Sequence, residues 1–210
     1  TNFTTSGLTI GSPSSAGSLF GHAGYAMLNA GDKYLATAGS DLSSMTMRLV
    51  DCGFSNLNIT ADRDAGGFFG YLVTKGVNKS ISKGASGVWN TKETVYGDNS
   101  SIVTTGKFLN GSKAIGAGGF VGHAKGSFWI NEPNWGEHAA IGISTLTVNN
   151  KADGFEAKEE KTVGTGGLLG LFENANSCSI YAVALSSSVS LAGAYNVGGL
   201  IGRNHDSSGK

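Results

Sequence analysis

Short apolar–polar–apolar triplets recur along the chain. Leu8-Thr9-Ile10, Leu57-Asn58-Ile59, Leu146-Thr147-Val148 and Val189-Ser190-Leu191 all alternate with period two. That period buries one face of a strand and leaves the other wet. Ile102-Val103-Thr104 fits less well and is followed by Phe108-Leu109. No segment has convincing helical periodicity, although Tyr25, Leu28 and Leu35 would allow one short helix within residues 23–38. The pattern therefore predicts an all-β chain.

Each triplet precedes a five-residue word made of a glycine, a glycine or serine, two large apolar residues and a glycine. The copies are Gly17-Ser18-Leu19-Phe20-Gly21, Gly66-Gly67-Phe68-Phe69-Gly70, Gly118-Gly119-Phe120-Val121-Gly122, Gly166-Gly167-Leu168-Leu169-Gly170 and Gly198-Gly199-Leu200-Ile201-Gly202. Their starts are 49, 52, 48 and 32 residues apart. A word recurring over the whole chain marks a repeat architecture. Such architectures usually present a surface and do not enclose a single pocket. Glycine serves tight corners and close backbone approach. Both needs arise when parallel strands stack about 4.8 Å apart. Hairpins would more often carry Asn-Gly or Asp-Gly turns between clean strands. Asn110-Gly111 and Asp153-Gly154 lack such flanks.

Composition narrows the picture. The 210 residues include 34 glycines and 2 prolines, and 40% are hydrophobic, which is enough for a sizeable core. One domain spanning 1–210 is expected, a fragment of a larger surface protein. Basic and acidic residues balance at 15 each, so no basic stripe calls for nucleic acid or an anionic membrane. No apolar run approaches the roughly 18–20 residues of a membrane span. Cys52 and Cys178 are too few for a disulfide framework and read as two separate core thiols, with a single bridge between them as the alternative.

The glycine words resemble the GLUG motif, Gly-Gly-Leu-Val-Gly-Tyr followed by a turn and a Ser/Asn-Cys-rich strand. The fourth copy is the nearest match. It runs from Gly166 through Asn176-Ser177-Cys178-Ser179-Ile180 to Val189-Ser190-Leu191 and Gly198-Gly199. The resemblance implies a right-handed parallel β-helix, or β-solenoid, from a bacterial secreted or cell-surface protein of adhesin-like type. It also implies a host protein or glycoprotein partner, such as an immunoglobulin or mucin. One turn of such a helix takes about 20 to 30 residues. Spacings near 50 then mean two turns per word, or one turn with an inserted loop.

The stretches 84–100, 125–142 and 149–164 are the expected insertions, and long loops on rigid scaffolds usually carry binding. They hold Trp89, Tyr96, Phe128, Trp129 and Trp135, aromatic types suited to protein hot spots and to sugar stacking. These five are the expected binding residues. The alternative for the tryptophans is that they fold back as lids over the scaffold's flank.

After each glycine word comes His22, Tyr71, His123, Leu171 or Arg203, expected to form one stacked surface row. Two histidines without a third ligand at recognisable spacing do not make a metal site. The fourth positions of the words, Phe20, Phe69, Val121, Leu169 and Ile201, are expected to be covered, since monomers rarely tolerate long exposed apolar rows. Asp62 and Asp64 flank Arg63 in what reads as a charged turn. Asn150-Lys151-Ala152-Asp153-Gly154 distantly resembles the Asn-Thr-Asp-Gly of polygalacturonases, but the partner words of that family are absent. A hydrolase would need two carboxylates at a set separation. The expectation is a non-enzymatic binding module without metal or cofactor. Its rivals are a polysaccharide lyase or glycosidase and a plain spacer stalk.

Overall fold

The computed structural model describes residues 3–24, 48–49, 52–73, 88–89, 95–106, 114–125, 128–130, 141–152, 163–173, 178–180 and 183–205. Among them every regular element is a strand. The first unit comprises β1 (Phe3–Ser6), β2 (Thr9–Ser12), β3 (Ser15–Ala16), β4 (Phe20–Gly24) and β5 (Arg48–Leu49). The second holds β6 (Cys52–Ser55), β7 (Asn58–Ala61), β8 (Asp64–Gly66), β9 (Phe69–Val73) and β10 (Val88–Trp89). The third holds β11 (Val95–Asp98), β12 (Ser100–Thr104), β13 (Ile115–Gly118), β14 (Val121–Lys125) and β15 (Phe128–Ile130). The fourth holds β16 (Ile141–Ile143), β17 (Leu146–Asn150), β18 (Val163–Gly166), β19 (Leu169–Glu173) and β20 (Cys178–Ile180). The last described strands are β21 (Val183–Leu185), β22 (Val189–Gly193), β23 (Val197–Gly198) and β24 (Ile201–His205).

Each strand pairs with the strand five places on, giving five sheets ordered β1-β6-β11-β16-β21, β2-β7-β12-β17-β22, β3-β8-β13-β18-β23, β4-β9-β14-β19-β24 and β5-β10-β15-β20. The pairings are parallel, as in Phe20 with Phe69 and Val121 with Leu169. A spacing near 50 residues is therefore one five-strand unit. Where they are described, the expected insertions contain short strands, and the rest of them lies outside the described residues. Trp89 lies in β10, Tyr96 in β11, and Phe128 and Trp129 in β15. The third-unit strand that fits poorly by sequence, β12, takes the same register as the others, with Ile102 beside Ile59 and Val148. Its departure is Ser100, which sits in register with Leu146 where an apolar residue is expected. Ser100 is buried, and its hydroxyl accepts from the Leu57 N–H at 3.0 Å and donates to the Asp98 carbonyl at 2.6 Å. A satisfied hydroxyl can occupy a core position that an unpaired one could not.

The glycine word is a corner between the third and fourth sheets. Here the two sheets meet backbone to backbone. A Cβ on Gly122 would stand 2.7 Å from the Ala65 nitrogen, and one on Gly70 2.5 Å from the Ala16 nitrogen. Period-two alternation holds within a strand and breaks at the bend. Both apolar residues of the three central copies are consequently buried: Phe68 and Phe69, Phe120 and Val121, Leu168 and Leu169. Phe54, Phe68 and Phe120 pack edge to face with centroids 5.0 to 5.9 Å apart. The fourth-position row is thus covered centrally, but Phe20 is 46% exposed.

Cys52 is buried in β6, whereas Cys178 lies in β20 of a different sheet. The short helix allowed by sequence begins instead as strand, at Ala23–Gly24 of β4, and its remainder lies outside the described residues. Among the described residues no helix is long and apolar enough to cross a membrane.

Candidate functional site

The residues that follow the glycine words do form one ladder. His22 is beside Tyr71, Tyr71 beside His123, His123 beside Leu171 and Leu171 beside Arg203, across β4, β9, β14, β19 and β24. The His22 and Tyr71 rings are 4.9 Å apart and those of Tyr71 and His123 4.5 Å apart. The row is not a surface row throughout. His22 is exposed and Tyr71 half-buried, but His123 is 3% exposed and Leu171 is fully buried. The cause lies in the neighbouring sheet, where Gly116 and Gly164 sit in register. A Cβ on Gly116 would come within 3.1 Å of the His123 Cα. Glycine there lets β14 close down, and His123 goes in with it.

His123 is enclosed by charge. Its Nδ1 stands 3.5 Å from Asp64 Oδ1, and its Nε2 3.4 Å from Glu173 Oε2. Both are ion-pair separations without well-aligned hydrogen bonds. Asp64 is 0% exposed. Its Oδ1 accepts the Gly116 N–H at 3.0 Å, and its Oδ2 accepts from Arg63 Nε and from the Ser15 hydroxyl. The Arg63 guanidinium lies 4.9 Å from the Tyr71 ring centre, a cation–π geometry. At the other end Lys125 Nζ stands 3.6 Å from Glu173 Oε2. The network runs Arg63, Asp64, His123, Glu173, Lys125, and it crosses the second, third and fourth units.

These surroundings set the protonation states. Burial disfavours the charged form of His123, but the carboxylates of Asp64 and Glu173 outweigh it and raise its pKa. Burial, then the charges of Asp64 and Glu173, push the Tyr71 phenol far above its ordinary range. Burial, then Arg63, lower His22. The His123 ring lies sealed from solvent between the two carboxylates. It ties successive units together. Among the described residues no three His, Cys, Asp or Glu side chains converge as metal ligands do.

Sequence reading missed Asp64 and Glu173. Asp64, assigned to a charged turn, is a strand residue in register with Ser15. Glu173 is in register with Lys125. Aligning the two glycine words and counting on three residues would have revealed that opposite-charge pair.

The expected binding residues divide. Trp89 is in register with Leu49 and Ile130, and Trp129 with Val88 and Ser179, so β10 and β15 bring two distant tryptophan segments side by side in one sheet. Phe128 is in the same strand as Trp129. Tyr96 belongs to a different sheet, between Gly53 and Gly142. Trp135 lies outside the described residues. Elsewhere one row is polar and uncharged. On the second sheet Thr9, Asn58, Ser101, Thr147 and Ser190 are in register, and all but the half-buried Ser101 are exposed. No family model, curated protein or solved structure matches this chain.

Proposed function

We propose that this chain is a right-handed parallel β-helix and acts as a non-enzymatic, adhesin-like binding module at a bacterial surface. Its partner is a host protein or glycoprotein of the immunoglobulin or mucin kind. The observation that carries this reading is the pairing of β10 with β15, which sets Trp89 beside Ile130 and Trp129 beside Val88 and so places two tryptophan-bearing segments on adjacent strands of one sheet. Rigid aromatic groups bind with little loss of side-chain entropy. The uncharged hydroxyl and amide row from Thr9 to Ser190 supports a polar partner, such as a glycan-bearing one. The cluster of His123 with Asp64 and Glu173 has its imidazole buried within the stack, and we read it as a structural tie between units.

The test is capture from serum and from mucus on the immobilised chain, with Trp89→Ala, Trp129→Ala and Trp135→Ala in parallel. Loss of a captured glycoprotein in the Trp89 or Trp129 variant supports the reading. Capture unchanged in all three removes the aromatic residues from it. Release of reducing or unsaturated sugar from uronic-acid polymers would replace the reading with an enzymatic one.

A further inference from the structure

The corner between the first and second sheets, and the second sheet beyond it, form a face almost free of charge in the middle of the stack. In the second unit its outward positions are Ser55, Asn56, Asn58 and Thr60. In the third they are Asp98, Asn99, Ser101 and Val103. In the fourth they are Ser144, Thr145, Thr147 and Asn149. All are exposed or half-buried, and all but Asp98 and Val103 are serine, threonine or asparagine. The strands of these three units have described strands on both sides. Charge returns only past the face, at Asp62 and Lys151.

The face has two zones. At the corner the side chains hold one another. Asn99 Nδ2 donates to Asn56 Oδ1, and the Asp98 carboxylate accepts from the Ser144 hydroxyl and the Thr145 N–H. On the second sheet Asn58, Ser101 and Thr147 share one row, and Thr60, Val103 and Asn149 the next. The hydroxyls and amides of these two rows make no hydrogen bond with the described residues. Strands about 4.8 Å apart, with same-face residues about 7 Å apart along each, set them out as a regular array.

Soluble surfaces carry roughly a quarter to a third charged residues, whereas the cores of interfaces are depleted of them. A face this poor in charge loses little on dehydration, and its short side chains lose little entropy on being held. Protein hot spots are rich in tryptophan and arginine, and neither occurs at these positions. Hydroxyl and amide groups in rows match a chain of neutral, hydroxyl-bearing rings. One aromatic residue borders the array: Tyr96 stands two places before Asp98 in β11, in register with Gly53 and Gly142.

We propose that this face of the second, third and fourth units binds an uncharged oligosaccharide, the glycan of the host glycoprotein proposed above, on which this inference rests. The Asp98 carboxylate, the one charge among these positions, works against sialylated and sulfated chains.

The experiment is frontal affinity chromatography on the immobilised full chain. The probes are neutral and sialylated oligosaccharides released from mucin. The neutral pool should be retarded and the sialylated pool should not. Tyr96→Ala should weaken retention, and so should the double variant Asn58→Lys with Thr147→Lys, by about tenfold or more. The double variant should keep the wild-type thermal unfolding midpoint, because both sites are exposed. Trp89→Ala should leave retention of the neutral pool unchanged. No retention of the neutral pool overturns the proposal, as does equal retention of the sialylated pool or of the neutral pool by the double variant. Glycoprotein capture that survives enzymatic deglycosylation, with no free glycan retained, overturns this inference alone. Retention of the neutral pool without any glycoprotein capture supports the glycan site and overturns the wider reading.

Discussion

His123 Nδ1 lies 3.5 Å from Asp64 Oδ1, across the junction between the second and third units. With Glu173 on its other side, the ring stitches three units into one charge network. Its stability contribution belongs to the protonated form. It is fully present below the ordinary imidazole value of 6.5 and is lost as pH rises through the raised native value. His22 has the opposite sign. Its lowered pKa gives stability that is present above 6.5 and lost as pH falls through the native value. An NMR titration of the two imidazoles should place their midpoints on opposite sides of 6.5. Asp64→Asn should bring the His123 midpoint down; no movement would disconnect the two residues.

The corner glycines are expected to separate sharply from glycines in open positions. Gly122→Ala drives a methyl into the backbone of Ala65 and should cost at least about 1–3 kcal/mol, as overpacking does. Gly142→Ala meets nothing within 4 Å among the described residues and should change the urea midpoint little. Equal effects in the two variants would contradict the close approach of the third and fourth sheets.

Ser100→Ala removes the acceptor of the buried Leu57 N–H. An unsatisfied buried donor costs about 1–3 kcal/mol, so the variant should unfold at lower urea despite its more apolar core. A stability equal to wild type would mean that the hydroxyl is not needed there.

The aromatic core should weigh far more in the middle than at the end. Phe68→Ala empties a fully buried site packed against Phe54 and Phe120 and should cost about 3–5 kcal/mol. Phe20→Ala loses one stacked contact with Phe69 and should cost roughly 1 kcal/mol. The ratio of the two costs, read by chemical denaturation, tests the burial gradient along the row.

Much of the scaffold was legible because its signals are local. Period-two triplets mark the strands of the second sheet, and the glycine words mark its corners. The ladder from His22 to Arg203 follows from counting one residue past each word. The strands bearing Trp89, Phe128 and Trp129 were not legible, because two- and three-residue strands are too short to carry a period. They took on the look of insertions once a 20- to 30-residue turn was assumed. Asp64 was lost for a different reason: a charged residue in a strand is ordinarily solvated, and only its partners make burial tolerable.

By itself the sequence determined that the chain is all-β, that it repeats, and where it bends, since alternation and glycine spacing act over a few residues. The tertiary structure alone decided how many residues make one unit. It alone turned His123 and Asp64 inward. Those outcomes depend on which backbones approach across about 50 residues of intervening chain, a distance over which local pattern carries no information.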